Sequence, residues 1–276
     1  MFSAFSTLRQ QIQETRKKTM AQLCGVTLHG DLQERYVDWR LPLLPLSKKR
    51  QNWLQIIREA GVLFIHVPKN AGTAISQALY KCSMRHESIR YYQKHAPDMV
   101  RTLPSFALWR DPVERFLSSY DFIRNGGGSH VSLHPSFAAH YAELTTLDRM
   151  IEYVESVSSI YHLDHVLRPQ HWYLTDRHGN LAVKMLFDLK DIDRIHPFIP
   201  GLYAGEIKKI NTTRRFTTNI NISQKEKIIN IYKDDYKIIE SISQINAFTK
   251  PSPTLQKPSL RTHLPTRFRM ALTGNL

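Results

Sequence analysis

The chain has 276 residues, 42% of them apolar, enough to bury one large core with short appendages. Its net charge of +14 calls for an anionic partner: nucleic acid, acidic lipid, or a phosphorylated or sulfated small molecule. Zinc-finger spacing, an RNP-like aromatic motif and a basic region leading into heptads are absent from the sequence, so the charge alone does not select nucleic acid.

Residues 1 to about 24 read as a helix with Phe2, Phe5, Leu8 and Ile12 on one face and Arg9, Arg16, Lys17 and Lys18 elsewhere. Such a helix suits either a membrane surface or the flank of the domain. The proline-punctuated "LPLLPLSKKR" (41–50) closes an N-terminal extension of residues 1–50. A main domain of residues 51–245 follows. It opens with an apolar strand at 62–67 and a helix from about 72 to 82. Next come a strand at 105–109, a helix at 112–124, a flexible glycine loop "NGGGSH" (125–130) and a helix near 146–158. "VKMLF" (183–187) is a third strand, and a capping box of Ser223 and Glu226 starts the last clear helix. Its expected buried face is Ile228, Tyr232, Tyr236 and Ile239. Residues 246–276, rich in proline and basic side chains, read as a flexible basic tail. Strands alternating with helices give an α/β class with a parallel sheet, whose ligands bind at the carboxyl ends of its strands.

Both loops of chemical interest lie at such ends. In "FIHVPKNAGTAI" a strand runs through Lys69 and Gly72 into a helix, the arrangement that aims backbone N–H groups and the positive end of the helix dipole at an anion. Gly72 permits close backbone approach, Thr73 adds a hydroxyl and Lys69 a cation. The lysine precedes the only glycine, whereas a nucleotide P-loop carries it after the last one. In "WRDPVERFLSSY", Asp111, Pro112 and Glu114 specify a helix start. Arg110 stands free at the strand end, and Ser118 lies off the apolar stripe. Arg110 can fork two hydrogen bonds to a phosphate, or pair with Asp111 or Glu114.

These two motifs, in this order and spacing, resemble the sulfotransferases that use 3′-phosphoadenosine 5′-phosphosulfate (PAPS), most closely the carbohydrate branch with heparan, chondroitin and bacterial members. Softer matches are "KHAP" (94–97), "LRPQHWYLTDRHGN" (167–180) and "INTTRRF" (210–216). The resemblance implies a P-loop-type sheet of about four to five strands. It implies that Lys69 contacts the bridging oxygen, that Asn70, Ala71, Gly72, Thr73 and Ala74 hold the 5′-phosphate, and that Arg110 and Ser118 hold the 3′-phosphate. Thr213 and Arg214 would close over the donor, and Arg168, Gln170 and His171 would line the acceptor side. Asn70 and Ala74 stand where relatives show threonine and serine, so two hydroxyl contacts are lost. Asp188 stands near a position where relatives carry glutamate, and no role is assigned to it.

Transfer to a hydroxyl also needs a proton acceptor. Of thirteen histidines, His95 in "YQKHAPD" is the candidate, because the family's catalytic histidine lies in a similar loop before the second strand. The group His162, Asp164, His165 and His171 lacks a glutamate or cysteine to complete a metal spacing, and no metal is expected. The expectation is a PAPS-dependent sulfotransferase acting on a carbohydrate hydroxyl, with PAP as product and an anionic glycan or glycolipid as acceptor. Its rivals are a P-loop kinase and a basic nucleic-acid-binding protein, and a nucleic-acid partner is not expected. Cys24 and Cys82 form no disulfide framework. No apolar run approaches the roughly 20 residues of a membrane helix. A cytoplasmic setting is expected, with peripheral membrane contact through residues 1–24 as an option.

Overall fold

A computed structural model describes residues 15–42, 44–128, 131–199 and 219–248, with Ile12, Leu202, Ile207 and Phe216 besides. Helical backbone over residues 15–23 breaks before Gly25, whose φ of 61° lies in the left-handed region. A 3-10 turn (His29–Asp31) leads into α1 (Leu32–Asp38), and Ser47 caps α2 (Lys48–Ala60). Then follow β1 (Leu63–Ile65), α3 (Gly72–Tyr80), α4 (Ile89–His95), α5 (Pro97–Thr102), β2 (Ser105–Trp109) and α6 (Pro112–Arg124).

Part of the glycine-rich stretch is a strand. Gly127–Gly128 (β3) pairs with Val131–Ser132 (β4) as a small antiparallel hairpin, where a flexible loop was expected. A Cβ at Gly127 would lie 2.4 Å from the Val131 carbonyl oxygen, so the hairpin needs glycine there. Beyond it lie α7 (Pro135–Glu143), α8 (Leu147–Ser156), α9 (Gln170–Leu174), β5 (Met185–Asp188), α10 (Ile222–Ile231) and α11 (Lys233–Phe248).

Among the described residues the central sheet has three parallel strands, in the order β1-β2-β5, against the four to five expected. Phe64 stands opposite Phe106, and Ala107 opposite Leu186. Each apolar run of the sequence lies on one strand, and β1 is buried throughout because helices cover both faces. A second core gathers beside the sheet. Phe116 and Ile123 of α6, Met150 and Ile151 of α8, and Ile228 and Tyr232 meet there, each nearly or wholly buried.

The last helical region departs from expectation. Its cap is Asn221 with Gln224, not Ser223 with Glu226, and the helix breaks at Tyr232, whose backbone (φ −106°, ψ 25°) is not helical. The break turns Asp235 inward, so the buried positions become Ile228, Tyr232, Asp235 and Ile238. The N-terminal segment is also wired into the core. Glu34 accepts from the Ser88 amide and hydroxyl at 2.6 and 2.8 Å, Tyr161 donates to Asp38 at 2.6 Å, and Arg50 reaches Glu87 at 2.9 Å.

Candidate functional site

The first anion loop leaves β1 through Val67 and Pro68. Lys69 (φ 69°) and Ala71 (φ 57°) both take left-handed backbone, a conformation that costs about 1–3 kcal/mol per non-glycine residue and is held where the surroundings over-determine it. Ala71 sits at the N-cap of α3 and offers no side-chain acceptor. The first-turn amides of α3, which a helix leaves without internal partners, are therefore available to a ligand. The Lys69 ammonium rests over the Phe122 ring, 4.3 Å from its centroid. Burial, and next the Arg110 cation, lower the Lys69 pKa to about 8.

Gly72 has a second reason to be glycine. The His66 imidazole occupies the space beside it, and a Cβ would lie 1.8 Å from His66 Cδ2. The loop therefore rests on the histidine ring that follows β1. Thr73 is half-buried and Ala74 buried on the following turn.

The second loop ends β2. Asp111 caps α6, accepting from the Glu114 amide at 3.0 Å, and Tyr236 of α11 donates to its other oxygen at 3.1 Å. Arg110 Nε lies 3.5 Å from Glu114 Oε2, a partly exposed pair of the weak surface kind. Ser118 is half-buried, and Phe122 follows it by four residues, so both share one face of α6. That face is the one over which the Lys69 ammonium sits. Lys69 and Ser118 thus lie by one face of α6, with Arg110 close enough to lower the Lys69 pKa.

An amide ties the two loops together. Gln170 Oε1 accepts from Asn70 Nδ2 at 2.7 Å and from the Arg110 amide at 3.1 Å, while its Nε2 donates to the Arg110 carbonyl at 2.7 Å. Asn70 also donates to the Leu108 carbonyl at 2.8 Å. Its side chain is thereby committed to β2, and only its backbone can serve a phosphate. Asp235 completes the splint by capping α9, accepting from the Gln170 and His171 amides at 2.9 and 2.8 Å.

The expected acceptor residues fall on this splint and not on an open wall. Gln170 is buried. His171 Nδ1 meets Asp235 at 2.9 Å, with the ring part-exposed. Arg168 is wholly buried, bonded to Asp31 and to the Leu163 carbonyl. Thr213 and Arg214 lie outside the described residues, although the nearby Phe216 amide donates to Asp121 of α6 at 2.9 Å.

The open wall is elsewhere. A cleft of about 1440 Å³ is bordered by Lys17, Lys18, His29, Arg85, His86 and Phe122, among others. It adjoins the Lys69 loop through Phe122, which carries Lys69, and through His86, whose ring lies 4.1 Å from that of His66. His86 Nδ1 is 3.3 Å from the His66 carbonyl. A carbonyl only accepts, so Nδ1 carries the proton and the Nε2 lone pair is left to accept. Burial and the neighbouring His66 and His165 push the His86 imidazolium well below its usual range, keeping the ring neutral at rest.

His95 is placed differently. It ends α4, its ring packs 4.5 Å from Tyr91, and it does not border the cleft. Burial, Arg50 and Lys94 bring its pKa down to about 4. Sequence reasoning missed His86, Phe122 and the N-terminal lysines of the cleft. For Phe122 the signal was present, four residues after Ser118.

Among the described residues no group of three or more His, Cys, Asp or Glu is placed to hold a metal ion, and no helix is long and apolar enough to cross a membrane. A family model described as the sulfotransferase family matches residues 54–239, more than half of the chain. No curated protein and no solved structure matches it.

Proposed function

The chain belongs to the sulfotransferase family, enzymes that generally take PAPS as donor, and from that premise we propose that it transfers a sulfuryl group from PAPS to a hydroxyl of a carbohydrate. The supporting observation is the desolvated Lys69 ammonium, poised on Phe122 beside Arg110 and in front of an uncapped helix N-terminus. The residues present fit the donor's charges. Amides of the first turn of α3 and the Thr73 hydroxyl hold the 5′-phosphate, and Arg110, leaving Glu114, holds the 3′-phosphate with Ser118. Thr213 and Arg214 remain proposed as its cover.

PAPS supplies the sulfuryl group. Lys69 stabilises the charge that grows on the bridging oxygen as the S–O bond breaks with its electron pair. His86 replaces His95 as the proposed base, because it borders the cleft beside the Lys69 loop and its Nε2 is left to accept. It takes the proton of the acceptor hydroxyl as that oxygen's electron pair forms the new bond to sulfur. General base catalysis of this kind contributes about 10²–10⁴-fold. The cleft exceeds the roughly 300–1,000 Å³ of small-ligand pockets. With Lys17, Lys18 and Arg85 on its walls, it suits a segment of an anionic glycan or glycolipid.

Calorimetry tests the donor. PAP binds without magnesium and more tightly than ATP with magnesium, and Lys69→Ala weakens PAP binding. If ATP with magnesium binds more tightly, a kinase reading replaces this one.

A further inference from the structure

Three imidazoles run from the donor loop to the cleft wall and on to a buried carboxylate. The His66 ring fills the space beside Gly72, the His86 ring lies 4.1 Å from it at 65°, and the His165 ring stands 5.4 Å beyond at 81°. His165 Nε2 then meets Asp31 Oδ1 at 2.8 Å, and Arg168 holds the other Asp31 oxygen. Asp31 and Arg168 are 1% and 0% exposed. Burial alone would raise the Asp31 carboxyl, but His165 and Arg168 hold it well below the usual range. It is therefore a permanent carboxylate that only accepts, and His165 must present Nε2–H to it. The Tyr173 hydroxyl donates to the His165 carbonyl at 3.0 Å, fixing the backbone as well.

Two of the three rings thus have a set tautomer. His66 fixes His86 Nδ1 as a donor, and Asp31 fixes His165 Nε2 as a donor. Resting on the reading of His86 as base, we infer that Asp31, acting through His165, is a positioning residue for the reaction. The anchored His165 ring is the edge that holds His86 with its Nε2 lone pair toward the cleft. The charged and titratable groups facing His86 are His66 just after β1, His165 from the turn before α9, and its chain neighbour Arg85. Asp31 stands second in line behind His165.

The test uses the full chain and the variants His165→Gln and Asp31→Asn. The probes are PAP in calorimetry and PAPS with water as acceptor, followed by sulfate release. Both variants bind PAP within about twofold of the parent, because the donor loops are untouched, while sulfate release falls roughly 10- to 100-fold from lost alignment. In His165→Gln the acid limb of the pH–rate profile also moves to higher pH, since the variant removes one of the neighbours that hold the His86 imidazolium down. The His86 titration, followed by NMR in histidine-labelled protein, moves the same way. A purely structural role for His165 would lower the melting temperature without moving either titration. Should Asp31→Asn fail to fold with Arg168 unpaired, His165→Gln carries the test alone. Parent-like rate and acid limb in His165→Gln overturn the inference while the sulfotransferase reading stands. A parent that does not bind PAP overturns that reading, and this inference with it.

Discussion

Lys69 is half-buried beside a second cation, Arg110. Its pKa of about 8 means that the free site surrenders a proton on the alkaline side, where an ordinary lysine would not. A bound bisphosphate favours the ammonium and raises that pKa. Below about pH 7 both forms hold the proton and affinity is level. As pH rises through about 8, the free protein must regain a proton to bind, so PAP affinity falls by up to about tenfold per unit. Calorimetry in buffers of different ionisation enthalpy detects the accompanying proton uptake near pH 8. Affinity that stays flat to about pH 9.5 would remove Lys69 from the contact. The lysine itself was legible from its place after an apolar strand. Its seat on Phe122 was not, because the two are distant in sequence and meet only when β1 and α6 are packed. Gly72 was legible as a glycine position but for half of its reason: the sequence suggests room for a phosphate, and the His66 ring beside it adds a packing demand.

Between residue and fold stands α9, a helix of five residues that joins both anion loops. Gln170 pairs with the Arg110 backbone as a neighbouring strand would, and takes Asn70 on the same oxygen. Removing it leaves buried groups without partners, at about 1–3 kcal/mol each. Gln170→Ala therefore loosens both loops at once. PAP affinity drops roughly tenfold, with a lower melting temperature but an unchanged far-UV spectrum. A variant that binds PAP as the parent does would show that the splint is dispensable. Elements with strong local signals were readable in advance. The α6 start has Asp111, Pro112 and Glu114, and α8 shows apolar residues at 147, 150, 151 and 154, all buried. The role of α9 was not readable, because its cap comes from Asp235, 64 residues after His171. The break at Tyr232 that turns Asp235 inward left no mark in the apolar periodicity.

For the molecule as a whole, three apolar runs were visible in the sequence and each lies on one strand; the larger strand number came from likeness to relatives. The boundary at residue 50 was drawn from prolines and composition, and those report chain stiffness and not burial. Asp31 and Glu34 are buried, and Asp38 and Arg50 pair with groups beyond the boundary. A fragment of residues 54–276, cut at the start of the family match, leaves Arg168 without Asp31. Breaking a buried pair costs about 3–5 kcal/mol, a large share of the roughly 5–15 kcal/mol of a typical domain. The fragment fails to show cooperative unfolding or PAP binding; one that binds PAP like the full chain would restore the boundary. The stretch from His165 to His171 is fastened at one end by Asp31 and at the other by Asp235. On a ribosome, a growing polypeptide meets the first of these anchors more than two hundred residues before the second. The helix that joins the two loops is thus capped late in biosynthesis, only once Asp235 has emerged.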